Sequence, residues 1–149
     1  MSEELKKDDF IVRDFKAEDF PKVLTIWEET GLGGAHRGDN LEIIMDTLQH
    51  GGAFFILENT NNHDIVGTAW ITNDFRRLYL HHFGMARAYQ GKGLSHLLAD
   101  ACIRFGKQKK IQMKLEVHRE NQKAKKLYLK HGFKDLGDYE VMIIRNYDE

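Results

Sequence analysis

The stretch from residue 78 to residue 117 constrains the fold more than any other part of this chain. Its pattern is that of a strand, a glycine-rich turn, a long amphipathic helix at about residues 94–108 and a second strand at residues 111–117. Parallel strands need a crossover connection of about a dozen or more residues, which a helix usually supplies. The sequence therefore predicts that the strands at residues 78–85 and 111–117 are parallel neighbours.

Patterns on both sides of this unit predict an α/β (mixed α+β) domain. Upstream, the sequence predicts a strand, two helices and an antiparallel pair of strands, in that order, at residues 10–13, 17–30, 39–50, 53–58 and 65–71. Asp39 and Glu42 have the spacing of a capping box at the start of the second helix. Downstream, a helix is predicted at residues 122–131 and strand-like segments follow, the clearest at residues 139–145. We expect one domain over residues 1–149, with about four helices around a mixed sheet of about six to seven strands.

Charge and composition argue against several classes of function. The chain has 22 Lys and Arg against 23 Asp and Glu, and this balance argues against nucleic acid as the main partner. No apolar run approaches the roughly 18 residues of a membrane helix, and the charged N-terminus lacks the apolar core of a signal peptide. We therefore expect a cytoplasmic protein with no membrane partner. The single cysteine, Cys102, is expected to be a small buried hydrophobe.

The eight histidines do not indicate a metal site. No pair has the helical spacing, with a neighbouring carboxylate, that is typical of zinc enzymes. His81 and His82 are adjacent in a predicted strand, so their side chains are expected to point to opposite faces. We expect no metal.

The turn at residues 89–95 is the first candidate binding site. Gly91 and Gly93 allow the backbone to turn tightly and to present successive N–H groups to an anion. The following helix adds unpaired donors and the positive end of its dipole, and Lys92 adds a mobile charge. The turn is not a dinucleotide-binding fingerprint, because His96 stands where the third glycine would be, and it lacks the Gly-Lys-Ser/Thr ending of a P-loop.

Two motifs resemble those of the GNAT superfamily of acyl-CoA N-acyltransferases. The turn matches the family's cofactor-binding pattern Gln/Arg-x-x-Gly-x-Gly/Ala as Gln90-x-x-Gly93-x-Ser95, with serine in place of the usual glycine or alanine. The segment from Asn121 to Phe133 matches the family signature Asn-x-x-Ala-x-x-Leu-Tyr-x-x-x-Gly-Phe at every fixed position. The resemblance extends over nearly the whole chain and implies a GNAT-like mixed sheet that is splayed between two parallel strands.

The resemblance implies acetyl-CoA (coenzyme A) as co-substrate and no metal. It implies that the turn binds the pyrophosphate and that the preceding strand bulges and offers backbone groups to the pantetheine arm. The implied cofactor-binding residues are Gly84, Met85, Gln90, Gly91, Lys92, Gly93, Leu94, Ser95, His96, Asn121 and Tyr128. Asn121 is alternatively the N-cap of the next helix, and Gly84 is alternatively a packing glycine.

The resemblance also assigns the catalytic groups. Tyr128 matches the general acid that protonates the departing thiolate, and the backbone N–H of Phe83 matches the donor that polarises the thioester carbonyl. His81 is the predicted base, because strand alternation puts it on the same side as Phe83, and Tyr79 is a weaker alternative. Two further alternatives stay open: a proton-relaying water chain as the base, and His81 as an ordinary strand histidine. His82 is expected to face away, although a bulge would exchange the two histidines.

The activity implied by the resemblance is N-acetyl transfer from acetyl-CoA to a primary amine, by direct attack in a ternary complex. The loose, glycine-rich segment at residues 31–38 is the candidate acceptor-binding loop. The acceptor is a small-molecule or peptide amine, and a protein-acetylating enzyme is an open alternative. A second alternative is a non-catalytic acyl-CoA-binding sensor or interaction module of the same fold. Dimers are frequent among similar proteins, so a homodimer is one expected assembly.

Overall fold

The structure is a computed structural model, and it describes residues 6–33 and 39–148. The strands in these ranges are β1 (Phe10–Asp14), β2 (Ala53–Asn59), β3 (Ile65–Asn73), β4 (Arg77–Met85) and β5 (Gln112–Leu115). The helices are α1 (Phe20–Thr30), α2 (Leu41–Gln49), α3 (Ser95–Lys109) and α4 (Gln122–Lys130). The order of these elements agrees with the predicted order as far as the end of α4.

The strands form one mixed sheet in the order β1-β2-β3-β4-β5. The first three neighbouring pairs are antiparallel, and β4 and β5 are parallel. The predicted hairpin of β2 and β3 is confirmed, and so is the predicted parallel pair across the helical crossover. β3 lies at the centre of the sheet and is buried over its first seven residues, which explains why it contains no charged side chain.

Helix α3 covers one face of the sheet. Its residues Leu98 and Cys102 are buried in a cluster with Leu57 of β2 and Val66 of β3. This burial confirms the expected role of Cys102, and it raises the pKa of the thiol to about 12. The thiol is therefore protonated at neutral pH and has the character of a small hydrophobe.

Helices α1 and α2 cover the opposite face, where large aromatic rings stack on one another. The ring centroids of Trp27, Phe54 and Trp70 lie 5.9 to 6.2 Å apart. Both indole N–H groups have partners, since Trp27 donates to the Thr68 hydroxyl at 3.1 Å and Trp70 donates to the Thr47 hydroxyl at 2.9 Å. These bonds fix the two tryptophans beside β4.

The prediction of six to seven strands is wrong, because the described part of the chain has five. Residues 139–145, predicted as a strand, form none and leave their apolar side chains in solvent, with Met142 90% exposed. The segment has the composition of a strand, but a strand also needs a neighbour that supplies backbone hydrogen bonds. The nearest candidate in sequence is β5, which is four residues long and ends at Leu115 instead of the predicted residue 117.

The predicted capping box at Asp39 is wrong by one residue. Asn40 is the N-cap of α2, because its side-chain oxygen accepts the backbone N–H of Ile43 at 2.9 Å. Asp39 is buried instead, with 5% of its surface exposed, and bonds to His82 of β4. The start of α2 is thereby tied to the sheet.

Candidate active site

Strand β4 carries the centre of the candidate site because it extends beyond its parallel neighbour. The β4–β5 pairing ends at Leu80 and Leu115, whereas β4 continues to Met85 and there pairs only with β3. The N–H of Ala86 donates to the carbonyl of Val66 at 2.8 Å. Because backbone groups alternate in direction along an antiparallel strand, those of Met85 point to the side that β5 has left. The two parallel strands are splayed at this end.

A bulge interrupts β4 within the splayed part. The register with β3 shifts by one residue, so that His82 and Phe83 together lie opposite a single residue. His82 has a φ of 47°, in the left-handed region, and its carbonyl accepts the hydroxyl of Thr68 at 2.8 Å. The extra residue reverses the alternation of side chains beyond it.

The bulge puts both histidines on the α1–α2 face of the sheet and Phe83 on the α3 face. The ring centroids of His81 and His82 lie 5.9 and 5.4 Å from that of Trp70. Phe83 packs into the α3-side cluster, edge-on to Tyr128 at 5.7 Å. The expectation that His81 shares a side with Phe83 is therefore wrong, and so is the expectation that His82 faces away from His81.

His81 is a neutral imidazole held by its neighbours. Its Nε2 lies 2.9 Å from the hydroxyl of Thr72, and its ring stacks on Tyr79 at 4.6 Å. Burial and the nearby His82 lower the pKa of His81 to about 4. Burial and a hydrogen bond to the Glu116 carboxylate raise the pKa of Tyr79. Tyr79 is therefore a fully protonated phenol at neutral pH, and His81 is the more basic of the two candidates.

His82 and Asp39 form a contact that the sequence analysis did not find. The Nε2 of His82 lies 2.9 Å from Asp39 Oδ2, and both side chains are largely buried. The Nδ1 of His82 is buried with no hydrogen-bond partner among the described residues. The two residues are 43 positions apart, so no local spacing pattern could have indicated the pair.

The described start of the candidate acceptor loop, and Asp39 that follows the loop, contact the bulged part of β4. A Cβ on Gly33 would lie 2.6 Å from both His82 and Asp39, and a Cβ on Gly84 would lie 2.4 Å from Leu32. Gly84 thus provides the space that Leu32 fills, which supports its alternative interpretation as a packing glycine. Residues 34–38 of the predicted loop lie outside the described residues.

The glycine turn has the backbone that the motif requires. Gly91 and Gly93 have φ of 75° and 76°, and nothing lies within 4 Å of a Cβ built on either. Among the described residues, the N–H groups of Gly91, Lys92 and Gly93 have no hydrogen-bond partner. Gln90 has a supporting role, since its side chain donates to the carbonyl of Met85 at 3.0 Å. An exposed turn of unpaired N–H groups fits a pyrophosphate.

The start of α3 continues this surface through its backbone. Ser95 is the first residue of the helix, so its N–H is unpaired within it. The side chain of Leu94 is buried in the core, which leaves only its backbone for a ligand. His96 Nδ1 lies 2.8 Å from Nε2 of His131, and burial together with the neighbouring His131 lowers the pKa of His96.

Tyr128 lies on α4 with its ring between Phe83 and Phe133, each at 5.7 Å. Burial raises the pKa of its phenol to about 12, so the hydroxyl carries its proton at neutral pH. The structure therefore brings two of the predicted catalytic residues, Tyr128 and Phe83, together. Asn121 caps α4 by accepting the N–H of Ala124 at 3.2 Å, as its alternative interpretation states.

Two surface cavities lie near the sheet. One, of about 280 Å³, lies on the α1–α2 face beside His81 and Tyr79. The other, of about 740 Å³, lies where β1 and β2 meet α3, and none of the predicted site residues lines it. Only the smaller cavity adjoins the candidate site.

Among the residues described, no group of three or more His, Cys, Asp or Glu side chains is arranged to hold a metal ion. None of the described helices combines the length and apolar character needed to cross a bilayer.

Comparison with known proteins places this geometry in a family. The chain resembles an acetyltransferase from Streptococcus agalactiae, with 16% identity, 91% of each chain covered and a TM-score of 0.73. It also resembles a GNAT-family acetyltransferase from Staphylococcus aureus, with 20% identity, 84% of this chain and 83% of that chain covered, and a TM-score of 0.72. A third similar structure is a predicted acetyltransferase from Clostridium acetobutylicum solved with acetyl-CoA, with 16% identity, 90% of this chain and 96% of that chain covered, and a TM-score of 0.69. At these identities the likeness shows the fold. The sequence model of the acetyltransferase (GNAT) family matches residues 14–133, and this chain belongs to that family.

Proposed function

We propose that this protein is an acetyl-CoA-dependent N-acetyltransferase that passes the acetyl group to a primary amine by direct attack in a ternary complex. The observation that carries the proposal is the arrangement around the splayed end of β4. Tyr128 and Phe83 lie on the α3 face and His81 lies on the opposite face. A thioester and an amine that approach from the two faces would meet where β5 has ended.

The cofactor side of the site consists mainly of backbone. We assign the pyrophosphate to the amides of Gly91, Gly93, Ser95 and His96, with the charge of Lys92 beside them. The pantetheine arm pairs with the backbone N–H of Met85, which points to the splayed side, because the same alternation turns the backbone groups of Gly84 towards β3. Gln90 holds the turn against the end of β4 through the carbonyl of Met85.

Three groups carry the chemistry. Acetyl-CoA supplies a thioester whose carbonyl carbon accepts the amine, so that a C–N bond forms and the C–S bond breaks. The N–H of Phe83 donates to the carbonyl oxygen as negative charge develops on it. Tyr128, whose pKa is about 12, gives its proton to the leaving sulfur. His81 takes a proton from the attacking nitrogen, which becomes strongly acidic as it gains positive charge.

The test is the release of coenzyme A from acetyl-CoA over a broad panel of amines, with wild type and Tyr128→Phe side by side. We expect turnover with at least one amine and a loss of about 100-fold or more in kcat in the variant, with acetyl-CoA binding retained. Tyr147→Phe is the matched control, because Tyr147 is 87% exposed. Acetyl-CoA binding without turnover on any amine would favour the sensor alternative, and absence of binding would overturn the proposal.

A further inference from the structure

Three of the seven residues that line the cavity beside His81 carry cationic side chains. Arg76 and Arg77, at the start of β4, and Lys114 of β5 line it together with Tyr79 and His81. None of the three cations makes an ion pair with a described residue. The Nε of Arg77 is buried and has no hydrogen-bond partner in the described part of the chain. A buried donor without a partner is costly, so it indicates a missing acceptor.

The acidic groups near this cavity are already bonded. Asp74 is the only carboxylate among the lining residues, and its Oδ1 accepts the backbone N–H groups of Arg76 and Arg77 at 2.9 and 2.6 Å. These bonds hold the pKa of Asp74 below its ordinary value. Glu116, beside the cavity, accepts the hydroxyl of Tyr79. These carboxylates bond to backbone N–H groups and to a phenol, so the side-chain donors of Arg77 and Lys114 remain available to a ligand.

The cations lie at defined distances from the proposed base. Arg77, Tyr79 and His81 are alternate residues of β4 ahead of the bulge and share one face, and Lys114 pairs with Tyr79. A strand rises about 3.3 Å per residue, so Tyr79, the partner of Lys114, lies roughly 7 Å from His81 along β4. Arg77 lies roughly 13 Å from His81 on the same strand. A small molecule with its amine at His81 can reach one or both cations.

We propose that the amine acceptor carries a carboxylate or phosphate group and that Arg77 and Lys114 bind this group. The proposal rests on the proposed function, because it places the amine at His81. A carboxylate or phosphate oxygen accepts the orphaned Nε–H of Arg77 together with a second guanidinium N–H, which is the bidentate geometry that arginine favours. Lys114 adds a point charge closer to the reacting nitrogen.

The first test measures kcat/KM for acceptors in matched pairs that differ only in the anion. The pairs are glucosamine 6-phosphate against glucosamine, and 4-aminobutyrate against 4-aminobutyramide, so the two arms separate phosphate from carboxylate. We expect a preference of tenfold or more for the anionic member of at least one pair. Arg77→Gln or Lys114→Gln should reduce that preference about tenfold and leave the neutral acceptor within about threefold. Lys107→Gln, which removes an equal charge from the far end of α3, is the control. The proposal would be overturned if the wild type had equal kcat/KM for both members of each pair, or if the Arg77 and Lys114 variants lost kcat/KM equally for both members.

A second measurement does not depend on turnover. NMR spectra of the ¹⁵N-labelled protein are recorded during titration with inorganic phosphate, with coenzyme A saturating so that the glycine turn is occupied. The Nε–H signal of Arg77 and the amide of Lys114 should shift, and Arg77→Gln should abolish the response at Lys114. Shifts confined to other regions would contradict the anion site even if acetyl transfer is confirmed. Failure of coenzyme A to bind would count against the proposed function alone, because the phosphate titration can still be read without it.

Discussion

His81 and His82 are adjacent in sequence and on the same face of the sheet, yet they have different surroundings. His81 bonds to a hydroxyl and stacks on a phenol, and burial lowers its pKa to about 4. His82 occupies the bulge and pairs with Asp39, a residue that flanks the candidate acceptor loop. The backbone conformation of one residue, with a φ of 47°, therefore brings the proposed base and the contact with Asp39 to the same face.

The lowered pKa of His81 predicts how the His81→Gln variant depends on pH. Because His81 is neutral at every pH well above 4, its ability to accept a proton does not change between pH 6 and pH 8. We expect kcat to fall about 100-fold in the variant. The ratio of the wild-type kcat to the variant kcat should stay constant between pH 6 and pH 8, because the acceptor amine titrates equally in both assays. Full pH profiles of the two proteins measure this ratio. A ratio that shrinks towards pH 6 would mean that His81 titrates near its ordinary pKa.

At the scale of elements, local patterns predicted the helices and strands up to α4 and the parallel pair, because periodicity and crossover length are local properties. The position of the bulge was not predictable in the same way. Gly84 indicated an irregularity in β4, but the register shift occurs at His82 and Phe83. That position depends on contacts with Thr68 of β3 and Asp39 before α2, which are distant in sequence. The faces of the two histidines relative to Phe83 were therefore predicted wrongly, whereas Tyr128 and Phe83, which were predicted separately, lie in contact.

The glycine turn gives a prediction about cofactor binding. Gly93→Ala adds a Cβ to the open turn and forces alanine into the left-handed region, which costs about 1–2 kcal/mol. Gly137→Ala is a matched control, because Gly137 also has positive φ (64°) and an open Cβ position but lies after α4. We expect Gly93→Ala to raise the KM for acetyl-CoA about tenfold and Gly137→Ala to leave it unchanged, in steady-state assays at fixed acceptor. Equal effects of the two changes would assign the loss to backbone strain.

At the scale of the whole molecule, the sheet has helices on both faces, but the described residues after α4 add no strand to it. Composition indicated a strand at residues 139–145, whereas Val141, Met142 and Ile144 are 66–90% exposed. Pairing of a terminal segment depends on the length and accessibility of an edge elsewhere in the fold, and a local window of sequence does not contain that information.

This exposure predicts the effect of polar substitution near the C-terminus. Met142→Ser should change the free energy of unfolding by less than about 0.5 kcal/mol, because it removes no buried contact. Ile56→Val, in the fully buried part of β2, should cost about 0.5–1.5 kcal/mol and serves as the comparison. Urea denaturation of the purified proteins measures both. A larger loss for Met142→Ser than for Ile56→Val would show that residues 139–145 are packed in solution.

The burial of Cys102 has a practical consequence for all of these assays. It is the only cysteine in the chain, it is 1% exposed and its thiol is protonated at neutral pH. A chromogenic disulfide reagent added to the folded protein therefore reads the free sulfhydryl of coenzyme A against almost no background from the protein itself. A variant whose Cys102 thiol reacts rapidly with the reagent before acetyl-CoA is added has opened its core. The same assay therefore reports both the turnover of a variant and whether its core is folded.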